Sequence, residues 1–185
     1  KVLLQVEKER QKRMKMNKAL GVTKIEEYNT LMPTQKMPHL IVAIDEYGAL
    51  LLDKDVKKES DNLCAQIAMK GRAAGVHLWI GSQTPYNDII PNKVKANITL
   101  KIIGRQATQG ASMSAGGSKL ASELPKHAGR MICDNGTDEF QVQMPYISSE
   151  QIAACIKQAE LCQPSAYQFE AFSLDEDTQP YAPIP

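Results

Sequence analysis

The run His39-Leu40-Ile41-Val42-Ala43-Ile44 is continuously apolar after its first residue, is rich in β-branched side chains and ends on two carboxylates, Asp45 and Glu46. A strand that is apolar on both faces fits the middle of a parallel sheet, where neighbouring layers cover both sides. Residues 55–74 then read as a helix. Leu63, Ile67 and Lys70 share one side, Cys64, Ala68 and Gly71 lie beside them, and Gly75 ends it. Val76-His77-Leu78-Trp79-Ile80-Gly81 repeats the buried-strand pattern. Strand, helix and strand of these lengths make a right-handed βαβ unit. The expected fold class is therefore α/β, with a mostly parallel central sheet flanked by helices.

The flanking chain divides by its punctuation. Residues 1–21 read as a basic N-terminal helix, free of Gly and Pro until Gly21; residues 1–24 hold eight Lys/Arg against two Glu. Such a charge run is either a solvated face or a surface for nucleic acid or acidic lipid. Residues 22–38 form a connector with a short helical piece around Lys24–Tyr28, closed by Pro33 and Pro38. The main unit is expected over 39–162. In it, Ile98–Gly104 makes a third strand, and 106–123 make two short helices around a Gly-rich turn. Arg130–Cys133 and Glu139–Gln143 make a C-terminal β-hairpin around Asp134-Asn135-Gly136. A last helix runs from Glu150 to about Leu161, and 163–185 form an acidic, Pro-containing tail, disordered or docked on a neighbour.

Several function classes drop out early. A chain of 185 residues is long enough for one sizeable core. No apolar run approaches the ~18 residues of a membrane span. Cys64, Cys133, Cys155 and Cys162 form no CxxC pair and the histidines are scattered, which argues against zinc; buried free thiols in a reducing cytosol are expected instead. The chain begins with Lys1, so it is expected to be cut from a longer protein.

The chemistry gathers where the two apolar strands end. In an α/β nucleotide hydrolase the C-terminal strand ends face the ligand crevice. Asp45 there can hold the water shell of Mg²⁺, and Glu46 can polarise an attacking water; both roles need carboxylate oxygens. Alone the pattern is unspecific, since many strands end in an acid at a turn. The second strand, however, ends in Gly81-Ser82-Gln83-Thr84-Pro85. The Gln83 amide can reach toward a γ-phosphate or its water. Two polar ends on adjacent parallel strands say more than either does alone.

The blocks Pro38–Tyr47, Lys70–Leu78, Ser82–Pro85 and Lys95–Ile98, in this order and spacing, resemble the FtsK/SpoIIIE family of hexameric DNA translocases. The resemblance covers about residues 36–150 and extends to Gly116-Gly117, Leu124-Pro125 and Gly129-Arg130-Met131. It implies part of a RecA-like P-loop NTPase motor domain that uses ATP and Mg²⁺. Asp45 would be the magnesium-side aspartate, acting through water, Glu46 the catalytic glutamate and Gln83 the polar sensor. Arg105 would be a finger acting on a neighbour's ATP. Arg72 would face a neighbouring subunit or pair with a carboxylate. The implied partners are double-stranded DNA and further copies in a hexameric ring at the cytoplasmic face, with a membrane anchor, or secretion or conjugation components, outside these residues.

The departures from the family pattern are equally specific. No G-x-x-x-x-G-K-[ST] occurs, and Gly116-Gly117-Ser118-Lys119 has the wrong order and context. The phosphate-cradling loop is therefore expected upstream of Lys1 or not at all, and these residues alone are expected to be inactive. Thr84 and Lys101 stand where the family has Arg, and lysine lacks the bidentate fork a finger uses. Three readings stay open: an ATP-driven motor on double-stranded DNA, a type VII secretion or conjugation-coupling ATPase of the same superfamily, and a non-hydrolysing partner-binding module.

Overall fold

The computed structural model describes residues 1–52 and 54–160. Helix α1 (Val2–Ala19) and the short α2 (Ile25–Leu31) lead into strand β1 (Leu40–Ile44) and a 3-10 turn at Tyr47–Leu52. Helix α3 (Lys54–Lys70) and a second 3-10 turn (Arg72–Ala74) return the chain to β2 (Val76–Ile80). There follow α4 (Asn92–Lys95), β3 (Lys101–Gly104), α5 (Gln109–Gly116), α6 (Leu120–Glu123), β4 (Arg130–Asp134), β5 (Glu139–Gln143) and α7 (Ser149–Glu160). The expected tail over 163–185 and Cys162 lie outside the described residues.

The α/β class and the βαβ unit are present: β1 pairs with β2 in parallel, from Leu40 opposite Val76 to Ile44 opposite Ile80. The third strand does not extend this pair. It lies at the edge of an antiparallel sheet in the order β3-β4-β5, with Lys101 opposite Asp134. Lys101 Nζ and Asp134 Oδ2 lie 2.7 Å apart and pin that register. The hairpin loop spans residues 135–138, one residue shorter than the gap between the expected strands, because Asp134 remains in β4 opposite Glu139.

Only one face of β1–β2 is covered, which corrects the expectation of burial on both. Leu40, Val42, Val76 and Leu78 pack against Val6 of α1 and Ile67 of α3. On the alternate positions Ile41 and Trp79 remain 57% and 65% exposed. Apolar composition on both faces cannot say which one the rest of the chain will cover.

Helix α1 is not simply a solvated charged face. It buries Glu7, Glu9, Arg10 and Arg13 together. Arg13 Nε bonds Glu9 Oε1 at 2.8 Å, and its Nη1 donates to the carbonyls of Pro38 (2.7 Å) and Ala74 (3.2 Å). Buried charge is tolerable when paired and hydrogen-bonded, and here it docks the helix beneath the sheet. Lys8, Lys12, Lys15 and Lys18 face outward. Of the described cysteines, Cys64 is buried, Cys133 is half-buried and Cys155 is exposed, so the buried-thiol expectation holds for Cys64 alone.

Candidate active site

Parallel pairing brings the C-terminal ends of β1 and β2 side by side. The ladder runs on past Ile44 and Ile80: the Gly81 amide donates to the Ile44 carbonyl at 2.7 Å, and the Tyr47 amide to the Gly81 carbonyl at 2.9 Å. The strand ends meet so closely that a Cβ at Gly81 would sit 2.2 Å from the Asp45 carbonyl oxygen. Only glycine fits there. Asp45-Glu46 and Gly81-Ser82-Gln83 are thereby locked next to each other, as their positions in sequence suggest.

Asp45 is exposed, while Glu46 is half-buried. Glu46 Oε1 accepts from the Gly48 amide at 3.0 Å and from Ser82 Oγ at 3.1 Å; Oε2 accepts from the Gln83 amide at 3.0 Å. The Gly48 amide first, then the Gln83 amide, hold this carboxyl below the usual glutamate range, with Ser82 adding to the effect. A carboxylate offers about four lone-pair sites. Three are taken, so Oε2 keeps room for one more donor.

Behind the site, Tyr47 turns into the core beside Cys64 and Val94. Its hydroxyl donates to Asp61 Oδ1 at 2.7 Å, and Lys57 Nζ lies 3.0 Å from Asp61 Oδ2. Burial pushes the Tyr47 hydroxyl pKa upward, and burial raises the Cys64 thiol to about 11, so neither group ionises near neutrality. This buried cluster fixes the backbone directly after Glu46.

The other predicted residues separate. Gln83 is exposed and adjoins the site, its backbone amide bonded to Glu46 Oε2. Arg72 precedes β2 and lies at the opposite end of the strand, about 17 Å away for five extended residues. It is exposed and pairs with no carboxylate among the described residues. Arg105 follows β3, is exposed, and donates Nε to the Leu124 carbonyl at 3.0 Å. Neither arginine touches Glu46. Gly116-Gly117-Ser118-Lys119 joins α5 to α6, with Gly117 at φ +90°, and is not a strand–loop–helix phosphate cradle.

Sequence reasoning missed two contributors. Ser82 bonds Glu46 directly, and the only hint was a hydroxyl immediately after a strand. Lys95 reaches the same loop through the Pro85 carbonyl at 2.8 Å. It lines a cleft of about 320 Å³ between the end of β2 and β3, together with Ile80, Gly81, Ser82 and Gln106.

No protein-family profile matches the chain. It is 28% identical over 172 residues to the DNA translocase SftA of Bacillus subtilis, covering 89% of this chain and 18% of that protein. The chain thus spans less than a fifth of the length of that curated relative. Its backbone superposes on the pCW3 conjugation coupling protein TcpA, in a monomer form with ATPγS, at a TM-score of 0.78 and 27% identity. That match covers 86% of this chain and 48% of TcpA. The cytoplasmic domain of the type VII secretion ATPase EccC from Thermomonospora curvata shares the fold at a TM-score of 0.73 and 20% identity, over 90% of this chain and 20% of EccC. Strands, carboxylates and relatives agree: the chain is similar in sequence to the DNA translocases of the FtsK/SpoIIIE type and has the fold of the P-loop ATPase motor domain.

Proposed function

We propose that this chain is the carboxylate-bearing part of an ATP-driven motor that moves along double-stranded DNA. One observation carries the reading. Glu46 stands at the end of β1, held by three donors, with Oε2 left able to accept from a water beside the exposed Asp45 and Gln83. ATP with Mg²⁺, when bound, supplies the phosphoryl group and the metal charge. The residues present fit that pair. Mg²⁺ keeps most of its waters and needs few carboxylates, and no cluster of three potential ligands exists among the described residues. Asp45 would hold the metal's water shell, Glu46 would accept a hydrogen bond from the attacking water, and the Gln83 side-chain amide would sense the terminal phosphate.

The phosphate grip comes from sequence other than these 185 residues. Copies of the motor assemble into a hexameric ring at the cytoplasmic face, and Arg105 serves the neighbouring copy's nucleotide. Arg72 is the alternative. Travel along DNA is governed by backbone charge and is therefore salt-sensitive. The likeness to the conjugation coupling protein TcpA favours one second reading, a coupling ATPase with the same chemistry and a different cargo.

ATP turnover by the whole motor separates the two. The DNA reading predicts stimulation by naked double-stranded DNA that declines as salt rises. Turnover indifferent to DNA and raised by a cargo protein would refute that reading in favour of the coupling ATPase.

A further inference from the structure

The block Lys95-Ala96-Asn97 has no part in the chemistry above, yet Lys95 is placed unusually for a lysine. It closes α4, is half-buried, and donates to the Pro85 carbonyl at 2.8 Å and the Ser114 carbonyl at 2.6 Å, with Ser114 Oγ at 3.5 Å. All of these partners are neutral. Ser114 Oγ closes the triangle by donating to the Pro85 carbonyl at 2.9 Å. Taking an ammonium partly out of water without an acid beside it is costly, and burial lowers its pKa accordingly, with Lys101 adding repulsion. In return, one cation with three donors ties two separate segments together, the loop after β2 and helix α5.

That loop holds Glu46. The Ser82 hydroxyl has one proton and two acceptors in reach, Glu46 Oε1 at 3.1 Å and the Thr84 carbonyl at 3.0 Å. The Thr84 amide returns a bond to Ser82 Oγ at 3.3 Å. Where Thr84 sits therefore decides whether Ser82 serves the carboxylate or the loop. Thr84 is followed directly by the residue Lys95 clamps.

We propose that Lys95 is a positioning residue for Glu46. It fixes the loop over residues 82–85 so that Ser82 and the Gln83 amide hold the carboxylate in one orientation, and it ties that orientation to α5. The inference rests on the reading of Glu46 as the water-polarising group.

The test has two arms. In the 185-residue chain, amide hydrogen exchange is measured at Gln83 and at Ile132 in β4. Lys95→Met should speed exchange at Gln83 by about tenfold, the loss of roughly one hydrogen bond, and leave Ile132 unchanged. Ser114→Ala, a milder cut of the same triangle, should speed Gln83 by less. Gln83 exchange that is unchanged in both variants, or that rises in step with Ile132, overturns the proposal. In the whole motor, Lys95→Met should lower kcat with little change in KM for ATP, and Lys95→Arg should recover part of the loss. If Glu46→Gln abolishes turnover while Lys95→Met leaves kcat intact, this inference alone falls. If Glu46→Gln itself leaves turnover intact, the reading beneath it falls.

Discussion

Replacing Tyr47 by Phe isolates the contact that fixes the backbone directly after Glu46. Tyr47 is fully buried and Asp61 is only 5% exposed. Phenylalanine keeps the ring and its packing against Cys64 and Val94, so the apolar contribution is unchanged. What is lost is a 2.7 Å hydrogen bond from a hydroxyl to a buried carboxylate, leaving Asp61 Oδ1 without that donor while Lys57 still serves Oδ2. Hydrogen bonds to charged groups contribute about 1.5–3 kcal/mol. For a domain of this size each kcal/mol shifts Tm by roughly 2–4 °C, so a loss of ~2 kcal/mol predicts a fall of about 4–8 °C. Thermal unfolding followed by circular dichroism measures the fall. Urea titration should show a lower midpoint with an unchanged slope. The same substitution in an Asp61→Asn background should cost less, by about 1 kcal/mol, because the acceptor is then neutral. A fall below about 1 °C, or an equal cost in both backgrounds, would refute the claim that this bond anchors the site.

Three further outcomes follow from particular contacts. Arg10 bonds Glu7 at 2.6 and 2.8 Å and holds its carboxyl below the usual range, so this stabilisation is complete above the unfolded pKa of about 4.3 and disappears as pH falls through the lower folded value. Urea unfolding from pH 7 down to pH 3 should therefore show wild type and Glu7→Gln differing at neutral pH and converging in acid. Gly81→Ala should destabilise by about 1–3 kcal/mol or more by forcing the Asp45 carbonyl away, whereas Gly104→Ala, where a Cβ meets nothing within 4 Å, should be mild; comparable Tm values for the two would contradict the close approach. In a ring, subunits carrying Arg105→Ala mixed with subunits carrying Glu46→Gln should recover part of the ATPase activity that each lacks alone; normal hydrolysis by Arg105→Ala rings would make Arg105 structural and Arg72 the next candidate for the finger, to be tested in the same way.

What was legible in the sequence was what local pattern decides. Two apolar runs with a helical stretch between them gave β1, α3 and β2, and parallel pairing then forces Asp45, Glu46, Ser82 and Gln83 to one end. The rest depended on partners distant in the chain. β3 joins the hairpin because Lys101 meets Asp134, and nothing in the run Ile98–Gly104 announces an antiparallel neighbour thirty residues away. The charge of α1 looked like a solvated face because its acids and bases could not be paired without coordinates; Glu7 with Arg10 and Glu9 with Arg13 consume the buried half of it. The block Lys95–Ile98 stood out in the sequence, but the contacts of Lys95 were not legible for a related reason. Its partners are backbone carbonyls and a serine hydroxyl, which leave no complementary charge in the sequence to point to them.

The most direct test of the central claim is single-turnover ATP hydrolysis by the whole motor carrying Glu46→Gln, with bound nucleotide measured in the same sample. Glutamine preserves the shape and can keep the Gly48 and Ser82 bonds at its single oxygen, but its NH2 group then faces the Gln83 amide and cannot accept from it, and it cannot polarise the water as a carboxylate does. The account predicts that hydrolysis falls by about a hundredfold or more while ATP stays bound. Hydrolysis at the normal rate with Glu46→Gln, or loss of ATP binding with no separate effect on the chemical step, would contradict it.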